Sequence, residues 1–126
     1  MPLVRISIIR GKPAAPLPSL GEAVHRALVE TIGVPEKDRF QVLSEHAPDE
    51  LVYDPEYLGI ARTDGIVLID ITFSTGRSLE QKRLLFRAIA ERLSKLGVRR
   101  EDVLVALTEV ARENWSFGAG VASYAP

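Results

Sequence analysis

The sequence predicts an α/β (α+β) fold in which two β-α-β repeats form one four-stranded sheet with two helices on one face. Three observations predict it. Leu3-Val4-Arg5-Ile6-Ser7-Ile8 lines up with Leu68-Ile69-Asp70-Ile71-Thr72-Phe73 at an offset of 65 residues, and the same offset places Gly11-Lys12 on Gly76-Arg77. Each apolar run is followed by a stretch in which apolar residues recur at three- and four-residue steps, the helical period. Residues 33–45 then align without a gap on residues 97–109, sharing Gly, Val, Asp, Leu and Glu at matched positions. Strand, helix, strand, taken twice, makes each half a right-handed crossover joining two parallel strands. A pseudo-twofold relates the halves, approximately residues 2–45 and 66–110, within a single domain spanning 1–126.

The elements follow in order. The first strand is expected at 3–9. The first helix, near 19–32, carries Leu20, Ala23, Val24, Ala27, Leu28, Thr31 and Ile32 on one stripe, with Ser19 as N-cap and Gly33 as a left-handed C-cap. The second strand is expected at 40–45. Residues 46–65 hold Pro48, Asp49, Asp54, Pro55, Gly59, Asp64 and Gly65, which is turn chemistry, with a short extended piece at Leu51-Val52-Tyr53. The third strand follows at 67–73. The second helix, near 78–96, has Leu85, Phe86, Ile89, Ala90, Leu93 and Leu96 on its stripe. Ser78 with Gln81 fits a capping box at its start, and Gly97 ends it. The fourth strand is expected at 103–109, and residues 111–126 form a tail. With both helices on one face, apolar strands would leave the other face uncovered, so association of several copies is expected.

Composition excludes several function classes. A chain of 126 residues with a net charge of −1 offers no basic surface for nucleic acid or an anionic membrane. It has no cysteine, hence no disulfide, thiolate ligand or cysteine nucleophile. His25 and His46 are far apart, so no metal and no cofactor are expected; both are read as structural or surface residues. No charged leader precedes an apolar core and no run reaches the ~20 residues of a membrane span. A cytoplasmic protein is expected.

Chemistry concentrates at a few positions. Initiator methionine is normally removed before a residue as small as proline, so Met1-Pro2 implies a mature chain that begins with a secondary amine. A free α-amino group titrates near ~8. Burial or nearby cations lower that further, so a prolyl amine at the head of a buried strand can act as base or acid near neutral pH. Arg77 lies where the third strand meets the second helix. Helix N–H groups there favour an anion, and a guanidinium offers a bidentate fork for a carboxylate. Trp115, Phe117 and Tyr124 fall in the last dozen residues, beside Gly118 and Gly120. Such a tail suits either a flap over a neighbouring subunit or the apolar wall of a small pocket.

Taken together, Pro2, the two β-α-β halves, Asp38-Arg39-Phe40-Gln41, Gly76-Arg77-Ser78 and Asn114-Trp115-Ser116-Phe117-Gly118-Ala119-Gly120 resemble the tautomerase superfamily. The length and tail are similar to its malonate semialdehyde decarboxylase branch, and the resemblance covers essentially the whole chain. It implies the tautomerase fold, a homotrimer with three active sites near subunit interfaces, and a catalytic set of Pro2, Asp38 and Arg77. It also implies Trp115 and Phe117 as pocket residues, with Tyr124 beside them. The chain departs from the branch at Thr75-Gly76-Arg77. The branch has two arginines flanking one residue; here a threonine hydroxyl stands for one of them at Thr75.

The expected activity is therefore that of a proline-dependent enzyme on a small 2- or 3-oxo carboxylate such as malonate semialdehyde, working as tautomerase or decarboxylase. The prolyl pKa separates the two. A neutral nitrogen moves a proton between carbon and oxygen, whereas a protonated one polarises a β-carbonyl so that carbon dioxide can leave. A binding or structural role without catalysis is the alternative, because fold does not fix function.

Overall fold

The computed structural model describes residues 2–125; the expected loss of Met1 lies outside the described residues. The chain runs β1 (Leu3–Ile9), α1 (Leu17–Ile32), β2 (Phe40–His46), β3 (Val67–Ser74), α2 (Leu79–Lys95) and β4 (Val103–Val110), with three single 3-10 turns. The sheet order is β2-β1-β3-β4. β1 pairs with β2 and β3 with β4 in parallel, while β1 and β3 run antiparallel at the centre. That is the four-stranded sheet of two β-α-β units expected from the repeat, in the arrangement the resemblance implied.

Alternation along the strands decides the layers. Val4, Ile6 and Ile8 of β1 and Val67, Ile69, Ile71 and Phe73 of β3 face the helices and are almost wholly buried. Leu20, Val24, Ala27 and Leu28 from α1 and Leu85, Ile89 and Leu93 from α2 close on them in one cluster. Each such side chain contributes roughly 1.5–3 kcal/mol on full burial. Gly21 matters for the edge strand. A Cβ there would stand 2.7 Å from the Gln41 carboxamide, whose nitrogen donates to the Gly21 carbonyl at 2.9 Å. This close approach seats the start of β2 against α1.

Element ends depart from expectation by up to two residues. α1 begins at Leu17 with Pro16 as its cap and no side-chain cap bond. Ser19 therefore sits inside the first turn, its N–H donating to the Pro16 carbonyl at 3.0 Å. Pro18 explains the shift, since a proline in the first turn forfeits only an N–H that has no helical partner there. Ser78 and Gln81 form the expected capping box, and Gly33 caps α1 at a φ of 70°. Phe86 is 40% exposed and flanks the edge of β4 with Ala90, Val103 and Val105.

The helix-free face is not the apolar surface the strands suggested. Counting alternate residues along the registers places Leu3, Val42, Leu68 and Leu104 on it, but also Arg5, Ser7, Ser44, Asp70, Thr72 and Thr108. Arg5 stands directly opposite Asp70, and the Ser7 and Ser44 hydroxyls lie 3.4 Å apart. The face is amphipathic because each central strand buries only its alternate residues.

The long connection packs beneath the sheet's far end, where Leu51 joins Ile9 and Ile66 in a second small core. Leu51-Val52-Tyr53 forms no strand, and Tyr57–Gly59 makes a 3-10 turn that the sequence did not signal. Asp102 pins this connection. It is 2% exposed and accepts from the Thr63 N–H at 2.7 Å and the Thr63 hydroxyl at 2.6 Å. Arg99 lies 3.5 Å from the same carboxylate.

Candidate active site

The topology gathers the expected residues at one end of the sheet. β1 and β2 start there, and β3 and β4 finish there, because the central pair is antiparallel and each outer pair parallel. Pro2 is buried. Stepping each register back from Leu3 sets it beside Arg39 on one side and Phe73 on the other.

Asp38 ends the connection from α1, where its N–H donates to the Pro35 carbonyl at 3.0 Å. Its side chain is turned inward, with Oδ1 shielded from solvent. His25 steadies this connection from beneath: it is buried at 2% exposure, with Nε2 2.8 Å from the Glu36 carbonyl. That is the structural role expected of it. Arg39 is committed elsewhere. Its guanidinium donates to Glu22 at 2.5 Å and to the Gln41 carboxamide at 3.2 and 3.3 Å.

Arg77 is half-buried. It donates to the carbonyl of Ile32, at the C-terminus of α1, at 3.3 Å, and its guanidinium carbon lies 6.0 Å from the centroid of the Phe73 ring. A helix C-terminus carries partial negative charge, so it suits a guanidinium. The helix start beside Arg77 is less open to an anion than expected. The Gln81 N–H already donates to the Ser78 hydroxyl at 3.1 Å, and the Ser78 N–H to the Gln81 side chain at 3.0 Å. The Arg77 guanidinium, a planar fork of donors, is the cation beside this helix start. Thr75 is exposed, and its N–H extends the sheet to the Val110 carbonyl at 2.9 Å.

The tail supplies aromatic surface. Trp115 and Phe117 stack at 5.3 Å and 11°, and Tyr124 meets Phe117 edge-on at 5.3 Å. Phe40, first residue of β2, leans on Phe117 at 6.2 Å. The indole N–H of Trp115 donates to the hydroxyl of Ser74 at 3.0 Å. The tail is tied to itself as well: the Ser123 hydroxyl accepts from the Phe117 N–H at 3.1 Å, and the Ser123 N–H reaches the Trp115 carbonyl at 3.2 Å. Arg112 lies over the Tyr124 ring at 5.0 Å.

Three participants escaped the sequence reading. Phe40 could have been found by counting two residues on from Asp38 to the open face. Ser74 extends the third strand by one residue beyond its expected end. Arg112 gave no signal. An open groove of about 520 Å³ lies between the outer faces of α1 and α2 and is lined by none of Pro2, Asp38 or Arg77. Among the described residues there is no grouping of histidine and carboxylate side chains that could hold a metal ion, and no helix long and apolar enough to cross a membrane.

Comparison with known proteins agrees with this geometry. A family model described as tautomerase enzyme matches residues 38–118, and another with the same description matches residues 2–61. "Probable tautomerase YusQ" of Bacillus subtilis is 43% identical over 121 residues, covering 95% of each chain. A crystal structure of malonate semialdehyde decarboxylase inhibited by 3-bromopropiolate superposes with a TM-score of 0.89 at 38% identity, covering 97% of this chain and 93% of that one. A fused 4-OT symmetric trimer matches with a TM-score of 0.77 at 26% identity, over 98% of this chain and 99% of that one.

Proposed function

The chain belongs to the tautomerase family, and from that premise we propose that it acts on a small 2- or 3-oxo carboxylate through the amino-terminal nitrogen of Pro2. The observation that carries this reading is the convergence of a buried Pro2, Asp38 and Arg77 on one sheet end beneath an aromatic tail. Arg77 binds the carboxylate, and the Thr75 hydroxyl is close enough in sequence to add a hydrogen bond. Asp38 shares the end with Pro2 and stabilises, by charge proximity, the ammonium that forms when Pro2 takes up the substrate's proton. Trp115, Phe117 and Tyr124 form the apolar wall, which strengthens charge interactions by excluding water.

The main reaction is tautomerisation. Neutral Pro2 removes a proton from the carbon beside the keto group, the C–H pair becomes the C=C bond, and the carbonyl oxygen takes a proton to give the enol. The reverse sequence returns the ketone. The 38% identical decarboxylase structure favours a second reaction at the same site. Protonated Pro2 polarises the carbonyl of a 3-oxo acid, the bond to the carboxyl carbon breaks, carbon dioxide leaves, and the enol takes up a proton at carbon. A non-catalytic binding role is the remaining reading.

The test is covalent capture. Intact mass first establishes whether Met1 is gone, and the processed chain is treated with a 3-halopropiolate. The expected adduct maps to the N-terminal peptide and abolishes turnover of aryl pyruvate enols and of 3-oxopropanoate. A preparation that keeps Met1 is expected to be inert, because its Pro2 nitrogen is an amide without a basic lone pair. Equal activity of both preparations would overturn the Pro2 mechanism, and inertness of both would leave the binding role.

A further inference from the structure

We infer that Ser74 is a positioning residue: its buried hydroxyl latches the Trp115 indole and so fixes the stacked aromatic tail as a wall over the Pro2 end of the sheet. The wall's service to a substrate rests on the proline reading above; the latch itself does not.

Ser74 is the last residue of β3 and only 1% exposed. It is one of three buried polar or charged side chains in the described chain; the other two, His25 and Asp102, are bonded to Glu36 and Thr63. A buried hydroxyl without a partner is costly, and among the described residues the Ser74 side chain bonds the Trp115 N–H, across 41 residues of chain. Indole nitrogen is a donor only, so a serine oxygen answers it where an alanine cannot.

The latch acts on more than one ring. Phe117 lies nearly parallel to Trp115, and both Phe40 and Tyr124 lean on Phe117. Residues 115–125 otherwise lack helix or strand, and the hydrogen bonds from Phe117 and Ser123 stay within the tail. Among the described residues, the indole bond and the ring contact with Phe40 tie this self-contained loop to the sheet. Continuing the β1–β3 register one step beyond Leu3 and Thr72 sets Phe73, the neighbour of Ser74 along β3, opposite Pro2. The residue that holds the wall is thus one place along β3 from the partner of Pro2.

The experiment exploits Trp115 as the single tryptophan of the chain. Ser74→Ala and Ser74→Thr are made in the full-length protein. In Ser74→Ala, Trp115 emission is expected to shift to the red and acrylamide quenching to rise several-fold; Ser74→Thr keeps the hydroxyl and is expected to restore both. KM for the oxo-acid substrate should rise about 3- to 10-fold in Ser74→Ala, the loss of one hydrogen bond, with kcat changed less and the kcat pH profile unmoved. Unchanged emission and quenching in folded Ser74→Ala would overturn the latch. A freed Trp115 with an unchanged KM would overturn the wall's role in binding. If Ser74→Ala fails to fold, Trp115→Phe, which keeps a stacking ring but no N–H, must give the same KM rise; an unchanged KM there overturns the proposal. A parent protein inert to both oxo acids and the 3-halopropiolate marks failure of the proline reading and of the wall's role in binding, and the fluorescence still decides the latch.

Discussion

Arg77 and the two matched aspartates put the residue-scale claims in their sharpest form. A guanidinium held by the Ile32 carbonyl and the Phe73 ring is oriented before a ligand arrives. Arg77→Ala is expected to lower kcat/KM by an amount on the order of 2–5 kcal/mol, the range for truncating one partner of a buried charge pair. Arg77→Lys should recover little of it, because an ammonium lacks the planar fork. Full activity in Arg77→Ala, read from steady-state kinetics, would move the anchor to another cation. Arg39 is a poor substitute while Glu22 and Gln41 occupy it. Asp38 and Asp102 align in the repeat yet should fail differently. Asp102→Ala strips the partner from a Thr63 N–H and should cost about 1–3 kcal/mol of stability, seen as a lower Tm. Asp38→Asn should lower turnover and leave Tm nearly unchanged; the reverse pattern would exchange their roles.

At the scale of elements, the repeat made most of the fold legible. Both strand-helix-strand units, their shared face and the capping box at Ser78 follow from period and spacing. What the sequence hid was set by tertiary contact. Pro16 displaced Ser19 as the cap of α1, Asp102 rather than local turn chemistry organised the long connection, and Phe40 joined the tail only through folding. Ser78→Ala should cost about 1 kcal/mol, the usual worth of a side-chain N-cap, measurable as a reduced denaturant midpoint. The two helices are also clamped by charge. Arg92 donates to both Glu30 oxygens, at 3.0 and 2.7 Å, and this bond holds the Glu30 carboxyl below its ordinary range. A depressed carboxyl pKa stabilises the fold above the unfolded value near ~4.3 and loses that contribution as pH falls through the folded value. Glu30→Gln should therefore flatten the stability loss below that pH in acid titrations followed by circular dichroism. An unchanged acid slope would place the sensitivity in other carboxylates.

For the whole molecule, the open face of the sheet is the feature that asks for partners. Val42 and Leu104 are 51% and 41% exposed on its two edge strands, Val42 in the row of Arg5 and Asp70 and Leu104 in the row of the serine hydroxyls. A mixed surface of this kind suits a specific interface better than indiscriminate association. We propose a homotrimer assembled through this face. Sedimentation equilibrium should return three chains in place of 13.9 kDa, and Leu104→Glu should return the monomer. A native protein that is monomeric at micromolar concentration would exclude the trimer. The pseudo-twofold has a different consequence. At the sheet's other end it sets Lys12 and Asp102 where Arg77 and Asp38 stand at the first, but the chain there runs unbroken through Gly65, Ile66 and Val67. Linking the halves into one polypeptide turned one of two potential chain starts into an ordinary peptide bond. A circular permutant opened ahead of Val67, the counterpart of Pro2 in the repeat, would carry the chain's one free α-amine to that end and turn the Pro2 nitrogen into an amide, so any amine chemistry should move with it.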